Sequence, residues 1–315
     1  MIGWRASAPV VIVVATIATT AAAQNPTDQP VFRSRATAVS LDVSVRRGNR
    51  PAAGLTAADF TVTDNGVAQT VEQAFSNIVP VDVTLVIDAS GSTSAIFDDI
   101  RRNTQQILAL LRPTDRARVL VIKTGPYELV PLRPVGRGLV LPAERVPGVG
   151  SAIYDAIAAG LVSRADPDRR RLLVVITDGA DTDSVTSVET LEQVARRMDT
   201  VLHIILVSPQ LGPDPALPTR RPPVTFALDG PLELLARLPA VTGGALHLPR
   251  YDAITGAINA VRSIREVLDE FRQSYVIQYT PRNVTTGSWH TVVVRVKDIE
   301  QRNVRSRAGY FDAGQ

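Results

Sequence analysis

Between residues 81 and 273, short apolar runs alternate with longer stretches whose apolar residues recur at helical spacing. Val83–Ile87 and Leu172–Ile176 are apolar throughout and have the length of a strand, whereas Ile96–Leu111 is apolar on one helical face. Strands that are apolar throughout are buried on both faces, and intervening helices let them run parallel. The alternation therefore predicts an α/β fold with a doubly wound, mostly parallel six-stranded sheet.

The same patterns set the predicted elements of this α/β domain, residues 81–273. The predicted strands are Val83–Ile87, Val119–Ile122, Tyr127–Leu132, Leu172–Ile176, Leu202–Val207 and Ala245–Leu248. The predicted helices are Ile96–Leu111, Ser151–Leu161, Ser187–Met198, Pro231–Leu238 and Ala253–Phe271.

Both ends of the chain are predicted to be β-structure, because apolar and polar residues alternate there with period two. Asp64-Asn65-Gly66 adds a strong hairpin signal. The segments 24–80 and 274–315 are each too small to bury a good core. We therefore expect them to pair into one smaller β-sandwich-like module, into which the α/β domain is inserted. Two unrelated β extensions packed on the domain edge are the alternative.

The first 23 residues have the features of an export signal. Arg5 precedes the apolar run Val10–Ala15, and Ala21-Ala22-Ala23 provides small residues for cleavage. A membrane anchor is the alternative, but the apolar stretch is shorter than the roughly 20 residues that a span needs. The chain contains no cysteine, so its core must stabilise it without disulfides. We expect a periplasmic or secreted protein with no stable membrane span after cleavage near Ala23.

The charge balance argues against nucleic acid as a partner. The formal net charge is only +3 at pH 7, which gives no basic surface of the kind that phosphate binding requires. The most basic run, Arg169-Arg170-Arg171, directly precedes a predicted strand. We expect it to be a solvated run at the sheet edge opposite the candidate site.

Oxygen-bearing side chains cluster where the central strands end. Asp88, Ser90 and Ser92 follow the first apolar run, and Asp178 follows the fourth in a Thr-Asp-Gly turn. Ser151 supplies a further hydroxyl at a predicted helix start. If strands one and four are neighbours, these residues face one crevice at the carboxyl edge of the sheet. Oxygen-only sites suit hard divalent cations, so we expect Mg²⁺, with Mn²⁺ or Ca²⁺ as alternatives.

These residues resemble the metal-ion-dependent adhesion site (MIDAS) of von Willebrand factor type A (VWFA) domains. Flanking segments narrow the resemblance to the VWFA-related-domain proteins, which are exported bacterial proteins numerous in acidobacteria. The supporting segments are Leu55–Phe60, Asp64–Gly66, Ser151–Ala156, Tyr275–Pro281, Gly287–His290 and Arg305–Tyr310. The resemblance covers nearly the whole chain after residue 23, although the function of that family is not established.

The resemblance implies a metal-dependent protein-binding or adhesion module that is not an enzyme. Ser90 and Ser92 would bind the ion directly, Ser151 directly or through water, and Asp88 and Asp178 largely through water. A partner's Asp or Glu carboxylate would complete the coordination. Ser151 departs from the threonine usual in the family, so the hydroxyl is kept but the stiffer β-branched rotamer is lost.

Other interpretations of these residues stay open. The aspartates and serines could be helix caps, and Asp181 and Asp183 are expected to be solvated loop or helix-entry residues. The protein could also be a structural envelope module with a vestigial site. A hydrolase is the third function, with Ser90 or Ser92 as nucleophile and a histidine as base.

The segment 209–223 contains six prolines and follows the fifth predicted strand. So many prolines exclude a helix or a central strand. Because the segment should rise on the same edge as the metal site, we expect it to help select the partner. The candidate contact residues are Pro209, Leu211, Pro213, Pro218, Arg220 and Arg221.

Overall fold

The computed structural model describes residues 38–48, 50–76, 78–135, 141, 150–162, 166, 168–207, 231–249, 259–285 and 287–312. The predicted export signal and the predicted partner-binding loop, residues 209–223, lie outside the described residues.

The described residues form strands and helices that follow the predicted order. The strands are β1 (Val39–Arg47), β2 (Arg50–Pro51), β3 (Phe60–Asp64), β4 (Val67–Gln69), β5 (Gln73–Ser76), β6 (Val81–Asp88), β7 (Arg116–Ile122), β8 (Pro126–Pro134), β9 (Arg170–Thr177), β10 (Val201–Leu206), β11 (Leu246–His247), β12 (Tyr275–Tyr279), β13 (Trp289–Val296), β14 (Val304–Ser306) and β15 (Gly309–Phe311). The helices are α1 (Ser94–Arg102), α2 (Thr104–Leu108), α3 (Ile153–Leu161), α4 (Val188–Arg197), α5 (Pro231–Thr242) and α6 (Ala260–Gln273). None of these helices is long and apolar enough to cross a bilayer.

Six strands form the central sheet in the order β11-β10-β9-β6-β7-β8. Their ladders are parallel except for that between β7 and β8, which is antiparallel. Strands β7 and β8 lie on one side of β6, and the later strands β9, β10 and β11 lie on the other. The strand order therefore reverses beside β6, where a doubly wound sheet binds ligands at the carboxyl ends of its strands. The predicted fold class is confirmed.

Helices cover both faces of this sheet because consecutive side chains of a strand point to opposite faces. Leu85 and Ile87 belong to a core shared with α1, α2 and α6. Val86, between them, belongs to the core shared with α3, α4 and α5. Burial on both faces explains why β6 is apolar along most of its length.

The prediction of one continuous helix over Ile96–Leu111 is wrong. Helix α1 ends at Arg102 and α2 begins at Thr104. The side chain of Asn103 donates to the carbonyl oxygen of Asp99 at 2.9 Å and to its carboxylate at 3.0 Å. Asparagine competes in this way with the helical backbone, which gives a physical reason for the break.

A β module contains strands from both ends of the chain. One sheet has the order β14-β1-β12-β5 with β2 added to β1, and a second has the order β15-β13-β3-β4. Val39–Val43 of β1 pairs with Tyr275–Tyr279 of β12, which joins the two terminal segments directly. Asn65 and Gly66 have φ angles of 47° and 81°, as a type I′ hairpin turn between β3 and β4 requires. The bounds 24–80, 81–273 and 274–315 stay a prediction.

The expectation that Arg169–Arg171 is a solvated run is wrong. Arg170 and Arg171 are buried, with 6% and 7% of their surfaces exposed. Arg169 donates to Asp82 at 2.5 Å, Arg170 donates to Asp42 of β1, and Arg171 forms an ion pair with Asp199. Asp42 belongs to the β module, Asp82 lies at the start of β6 and Asp199 precedes β10, so the arginines pair with carboxylates where the sequence pattern suggested solvent.

Candidate metal site

Three loops place the five predicted metal ligands at the carboxyl edge of the central sheet. Asp88 ends β6, and Ser90 and Ser92 follow it; Asp178 follows β9, and Ser151 precedes α3. Strands β6 and β9 are paired up to Ile87 and Ile176. The sheet topology therefore brings together loops that are about ninety residues apart in sequence.

Asp88 is the centre of the cluster and has only 1% of its surface exposed. Its Oδ1 accepts the backbone N–H of Ser90 at 2.9 Å. Its Oδ2 accepts the hydroxyl of Thr177 at 2.8 Å and that of Ser151 at 3.4 Å. These contacts fix the carboxylate and link the first loop to the other two.

The remaining predicted ligands complete one connected cluster. The hydroxyl oxygens of Ser90 and Ser92 lie 3.2 Å apart, and the Ser92 hydroxyl donates to Oδ2 of Asp178. The other oxygen of Asp178 accepts the N–H of Ala180 at 3.0 Å. All five predicted residues are thus joined through direct contacts.

The donor set fits a hard divalent cation. Two carboxylates and three hydroxyls offer only oxygen, which Mg²⁺ and Ca²⁺ prefer. Among the described residues, no group of three or more His, Asp or Glu side chains could hold a metal. Hydroxyl groups would therefore have to supply much of the coordination, and the five predicted ligands would together carry a formal charge of −2.

Two threonines support Asp88 and were not predicted as site residues. Thr93 and Thr177 are buried, with 1% and 0% exposed. The Thr93 hydroxyl lies 2.9 Å from the carbonyl oxygen of Asp88, and that of Thr177 donates to its carboxylate. Thr177 belongs to the Thr-Asp-Gly turn, so its position could have been found; Thr93 carries no comparable signal.

Asp181 and Asp183 organise the loop that carries Ser151, in keeping with the expectation that they are loop and helix-entry residues. Asp183 accepts the backbone N–H of Ser151 at 2.9 Å. Asp181 accepts the N–H of Ile153 at 2.7 Å and the hydroxyl of Ser184 at 2.6 Å. These carboxylates satisfy N–H groups at the start of α3. They therefore hold the backbone at Ser151, a predicted ligand whose side chain lacks the β-branch of threonine.

Replacing Gly150 with alanine is expected to weaken the site. Its φ angle is +145°, and an added Cβ would overlap the carboxylate of Asp183. Backbone strain should cost about 1–3 kcal/mol of unfolding free energy, and displacing Asp183 should release Ser151. We expect thermal denaturation to show the lower stability and calorimetry about tenfold weaker Mg²⁺ binding. Gly125→Ala is the control because its Cβ would meet nothing within 4 Å; equal effects of the two substitutions would contradict the prediction.

The three histidines lie away from the site serines. Nδ1 of His203 and Nε2 of His247 are 2.8 Å apart at the β10–β11 edge. His290 instead contacts Asp64 in the β module at 2.7 Å. In the part of the chain that the structure describes, neither Ser90 nor Ser92 has a histidine partner. A serine nucleophile would therefore lack a histidine base within hydrogen-bond reach.

Acid is expected to destabilise the protein through the His203–His247 pair. Burial, then His247 and Arg305, lower the pKa of His203 well below 6.5. Burial and then Arg305 lower the pKa of His247 to about 4. Because the unfolded chain takes up these protons first, this stability is present above about pH 6.5 and is lost as pH falls through 4.

Thermal unfolding between about pH 7 and pH 4 measures this effect. Each proton that the unfolded chain binds and the folded protein does not lowers the free energy of unfolding by ~1.4 kcal/mol per pH unit of acidification. The carboxylates also titrate in this range, so the informative quantity is the difference from the double variant His203→Leu/His247→Leu. We expect the double variant to have a shallower dependence on pH. Equal slopes for the two proteins would contradict the assignment.

Comparison with known proteins gives structural neighbours but no sequence family. No family model and no curated protein matches the chain. The conserved hypothetical protein BatB from Bacteroides thetaiotaomicron is 17% identical, with a TM-score of 0.40, covering 61% of this chain and 98% of its own. A von Willebrand factor type A protein from Catenulispora acidiphila is 12% identical, with a TM-score of 0.44, and the match covers 89% of this chain and 75% of that protein. The ArnB paralog VWA2 from Sulfolobus acidocaldarius is 14% identical, with a TM-score of 0.36, and the match covers 54% of this chain and 44% of that protein.

The central sheet is the doubly wound, mostly parallel six-stranded sheet that the alternating sequence pattern predicted. Numbering β6 to β11 as strands one to six, their order is 3-2-1-4-5-6, and two of these neighbours are named as von Willebrand factor type A proteins. The narrower resemblance to the VWFA-related-domain proteins stays a prediction. At 12–17% identity and with TM-scores below 0.5, these neighbours carry no argument about function.

Proposed function

We propose that the protein is an exported, metal-dependent protein-binding module. The observation that carries this proposal is the meeting of oxygen donors from three loops at one sheet edge, with Asp88, Ser151 and Thr177 joined by hydrogen bonds. Residues 1–23 support export to the periplasm or beyond the cell.

Ser90, Ser92 and Ser151 would hold the ion through their hydroxyls, and Asp88 and Asp178 would orient its bound water. When bound, the cation supplies a positive centre that neutral hydroxyls leave incompletely neutralised. An Asp or Glu carboxylate of a partner protein could then complete the site. Asp88 already accepts hydrogen bonds from Ser90, Thr177 and Ser151, which suits a water-mediated role.

The placement of the histidines favours binding over hydrolysis. His203 and His247 bond to each other, and His290 bonds to Asp64. A binding site needs no proton transfer and therefore no base beside the serines. An envelope module with a vestigial metal site is the alternative, and Mg²⁺ affinity distinguishes it.

Calorimetric titration of the purified protein with Mg²⁺, Mn²⁺ and Ca²⁺ tests the metal site. We expect saturable uptake, and about 10–100-fold weaker binding in Asp178→Asn, which alters a half-buried residue and should still fold. Asp269→Asn is the matched control because Asp269 is exposed on α6. No uptake of any of these ions at millimolar concentration would overturn the proposal.

Capture of proteins from the envelope fraction, with and without chelator, tests the binding function. Wild-type protein should retain a partner only with divalent metal, and Asp178→Asn should retain less of it. Blocking the partner's carboxylates should abolish the chelator-sensitive capture. Capture that is equal with chelator and in Asp178→Asn would argue for a structural module instead.

A further inference from the structure

The side chain of Thr93 lies at the start of α1 but does not cap the helix. Thr93 is the N-cap residue of α1, and its side chain makes no capping hydrogen bond. A threonine at this position ordinarily accepts a backbone N–H of the first helical turn. Here the carbonyl oxygen of Thr93 accepts the N–H groups of Ile96 and Phe97, at 2.9 Å and 3.1 Å, so backbone bonds start the helix. The hydroxyl of Thr93 is left for contacts with the preceding loop.

The Thr93 hydroxyl contacts two of the predicted metal ligands in that loop. Its oxygen lies 2.9 Å from the carbonyl oxygen of Asp88 and 3.2 Å from Oδ1 of the same residue. It lies 3.2 Å from the carbonyl oxygen of Ser90 and 3.1 Å from the Ser90 hydroxyl. Thr93 is only 1% exposed, so these contacts are shielded from water. The polar group of Thr93 therefore serves the candidate site and not the helix.

The neighbours of the Thr93 hydroxyl set the direction of its proton. A hydroxyl has one proton and two lone pairs. The two carbonyl oxygens and the ionised carboxylate of Asp88 can only accept, so the proton of Thr93 points to one of them, and the carbonyl oxygen of Asp88 is the nearest. Toward the Ser90 hydroxyl, Thr93 can then only accept. The 3.1 Å contact is therefore a hydrogen bond that Ser90 donates.

The direction of the Ser90 proton decides whether the Ser90 oxygen can bind a cation. A hydroxyl binds a cation through a lone pair, so its proton has to point away from the ion. The Ser92 hydroxyl, 3.2 Å from that of Ser90, is another acceptor in reach, but it belongs to a predicted ligand. An ion bound by both oxygens would repel a proton that lies between them. Thr93 is the acceptor that keeps the proton of Ser90 clear of the ion.

The other two serines of the site have carboxylates as acceptors for their protons. The Ser92 hydroxyl donates to Asp178, and the Ser151 hydroxyl donates to Asp88 at 3.4 Å. Among the described residues, the Ser90 hydroxyl has no carboxylate acceptor. The buried threonine takes the place of a carboxylate for Ser90 without adding a negative charge to the site.

We propose that Thr93 is the positioning residue that makes Ser90 a cation ligand. The Thr93 hydroxyl accepts the proton of Ser90 and donates its own proton to the carbonyl oxygen of Asp88. The lone pairs of Ser90 are then free for the ion. This inference rests on the proposed function, and it assigns to Thr93 a role in ion binding beyond its support of Asp88.

Calorimetric titration of Thr93 variants with Mg²⁺ tests the role of the hydroxyl. Thr93→Val and Thr93→Ala remove it and should bind Mg²⁺ about tenfold more weakly, as is usual when a group that orients a metal ligand is lost. Thr93→Ser keeps the hydroxyl and should bind Mg²⁺ as the wild type does. A purely steric role of Thr93 would give the opposite order, because valine keeps the shape of threonine and serine does not.

A double-mutant cycle with Ser90→Ala tests whether Thr93 acts through Ser90. If it does, Thr93→Val should cause no further loss of Mg²⁺ affinity once the Ser90 hydroxyl is absent. A tenfold loss that is the same with and without the Ser90 hydroxyl would overturn the inference.

Thr200→Val is the matched control for the loss of a buried threonine hydroxyl. Thr200 precedes β10, is 2% exposed and donates to the carbonyl oxygen of Leu161 at 3.4 Å. It should lower the thermal stability without changing Mg²⁺ affinity. Thr93→Val that binds Mg²⁺ as tightly as wild type overturns this inference alone. Absence of Mg²⁺ uptake by the wild type at millimolar concentration overturns it together with the proposed function.

Discussion

Replacing Asp64 with alanine is expected to lower the free energy of unfolding by about 3–5 kcal/mol, because it breaks a buried polar network. Asp64 is 0% exposed. Its carboxylate contacts Nδ1 of His290 at 2.7 Å and accepts the hydroxyls of Tyr279 at 2.9 Å and Tyr310 at 2.7 Å. Removing the shared acceptor takes away the partner of the buried Tyr279 hydroxyl. It also leaves His290 and the half-buried Tyr310 with only their mutual contact at 3.1 Å.

This network also connects the two sheets of the β module. Tyr279 belongs to β12 in one sheet, and Asp64, His290 and Tyr310 belong to β3, β13 and β15 in the other. Burial and then the neighbouring Tyr310 and Asp64 raise the pKa of Tyr279, so its phenol stays protonated and donates. The substitution should therefore loosen the contact between the sheets as well as β3 itself.

Urea unfolding measures the effect. Tyr279→Phe, which removes one donor, should cost only about 1–1.5 kcal/mol. Asp269→Ala on exposed α6 is the control and should change stability by less than about 0.5 kcal/mol. A loss below about 1 kcal/mol for Asp64→Ala would show that the network contributes little.

Replacing Arg170 with alanine is expected to cost about 3–5 kcal/mol at the junction between the central sheet and the β module. The guanidinium donates to Asp42 of β1 at 2.6 Å, to the carbonyl oxygen of Phe271 at 2.9 Å and to the hydroxyl of Ser274 at 2.5 Å. It also lies 4.0 Å from the ring centroid of Phe271. One side chain therefore links β9, β1 and the end of α6, and its loss leaves Asp42 unpaired.

Mg²⁺ binding should be unchanged in Arg170→Ala. The eight residues of β9 separate Arg170 from the turn that carries Asp178, a distance of roughly 25 Å at the rise of a strand. Chemical denaturation and calorimetry together separate the two effects. Arg265→Ala on the exposed face of α6 is the control for losing an arginine. Equal stability of the two variants would contradict the role given to Arg170.

Local patterns predicted the elements that depend on periodicity. The apolar runs of β6, β9 and β10 indicated a parallel sheet because such strands are buried on both faces. Asn65-Gly66 indicated a hairpin because both residues adopt positive φ readily. The turn positions of Asp88, Ser90 and Asp178 indicated a shared site because neighbouring parallel strands end at the same edge.

Packing between distant segments decided what those patterns could not. Three consecutive arginines look solvated in sequence, yet Arg170 is buried because Asp42, 128 residues away, lies over it in the β module. The helix breaks at Asn103 because its side chain bonds to a backbone carbonyl oxygen of the preceding turn. The spacing of apolar residues gives no sign of such a bond.

The sequence by itself determined the order of the elements, the sheet type and the residue types at the proposed metal site, because burial and turn geometry fix these locally. Only the tertiary structure decided that Asp183 holds Ser151, that His203 meets His247, and which charges are buried. The physical reason is that a polar side chain is stable inside a protein only beside a partner, and the fold brings those partners from far along the chain.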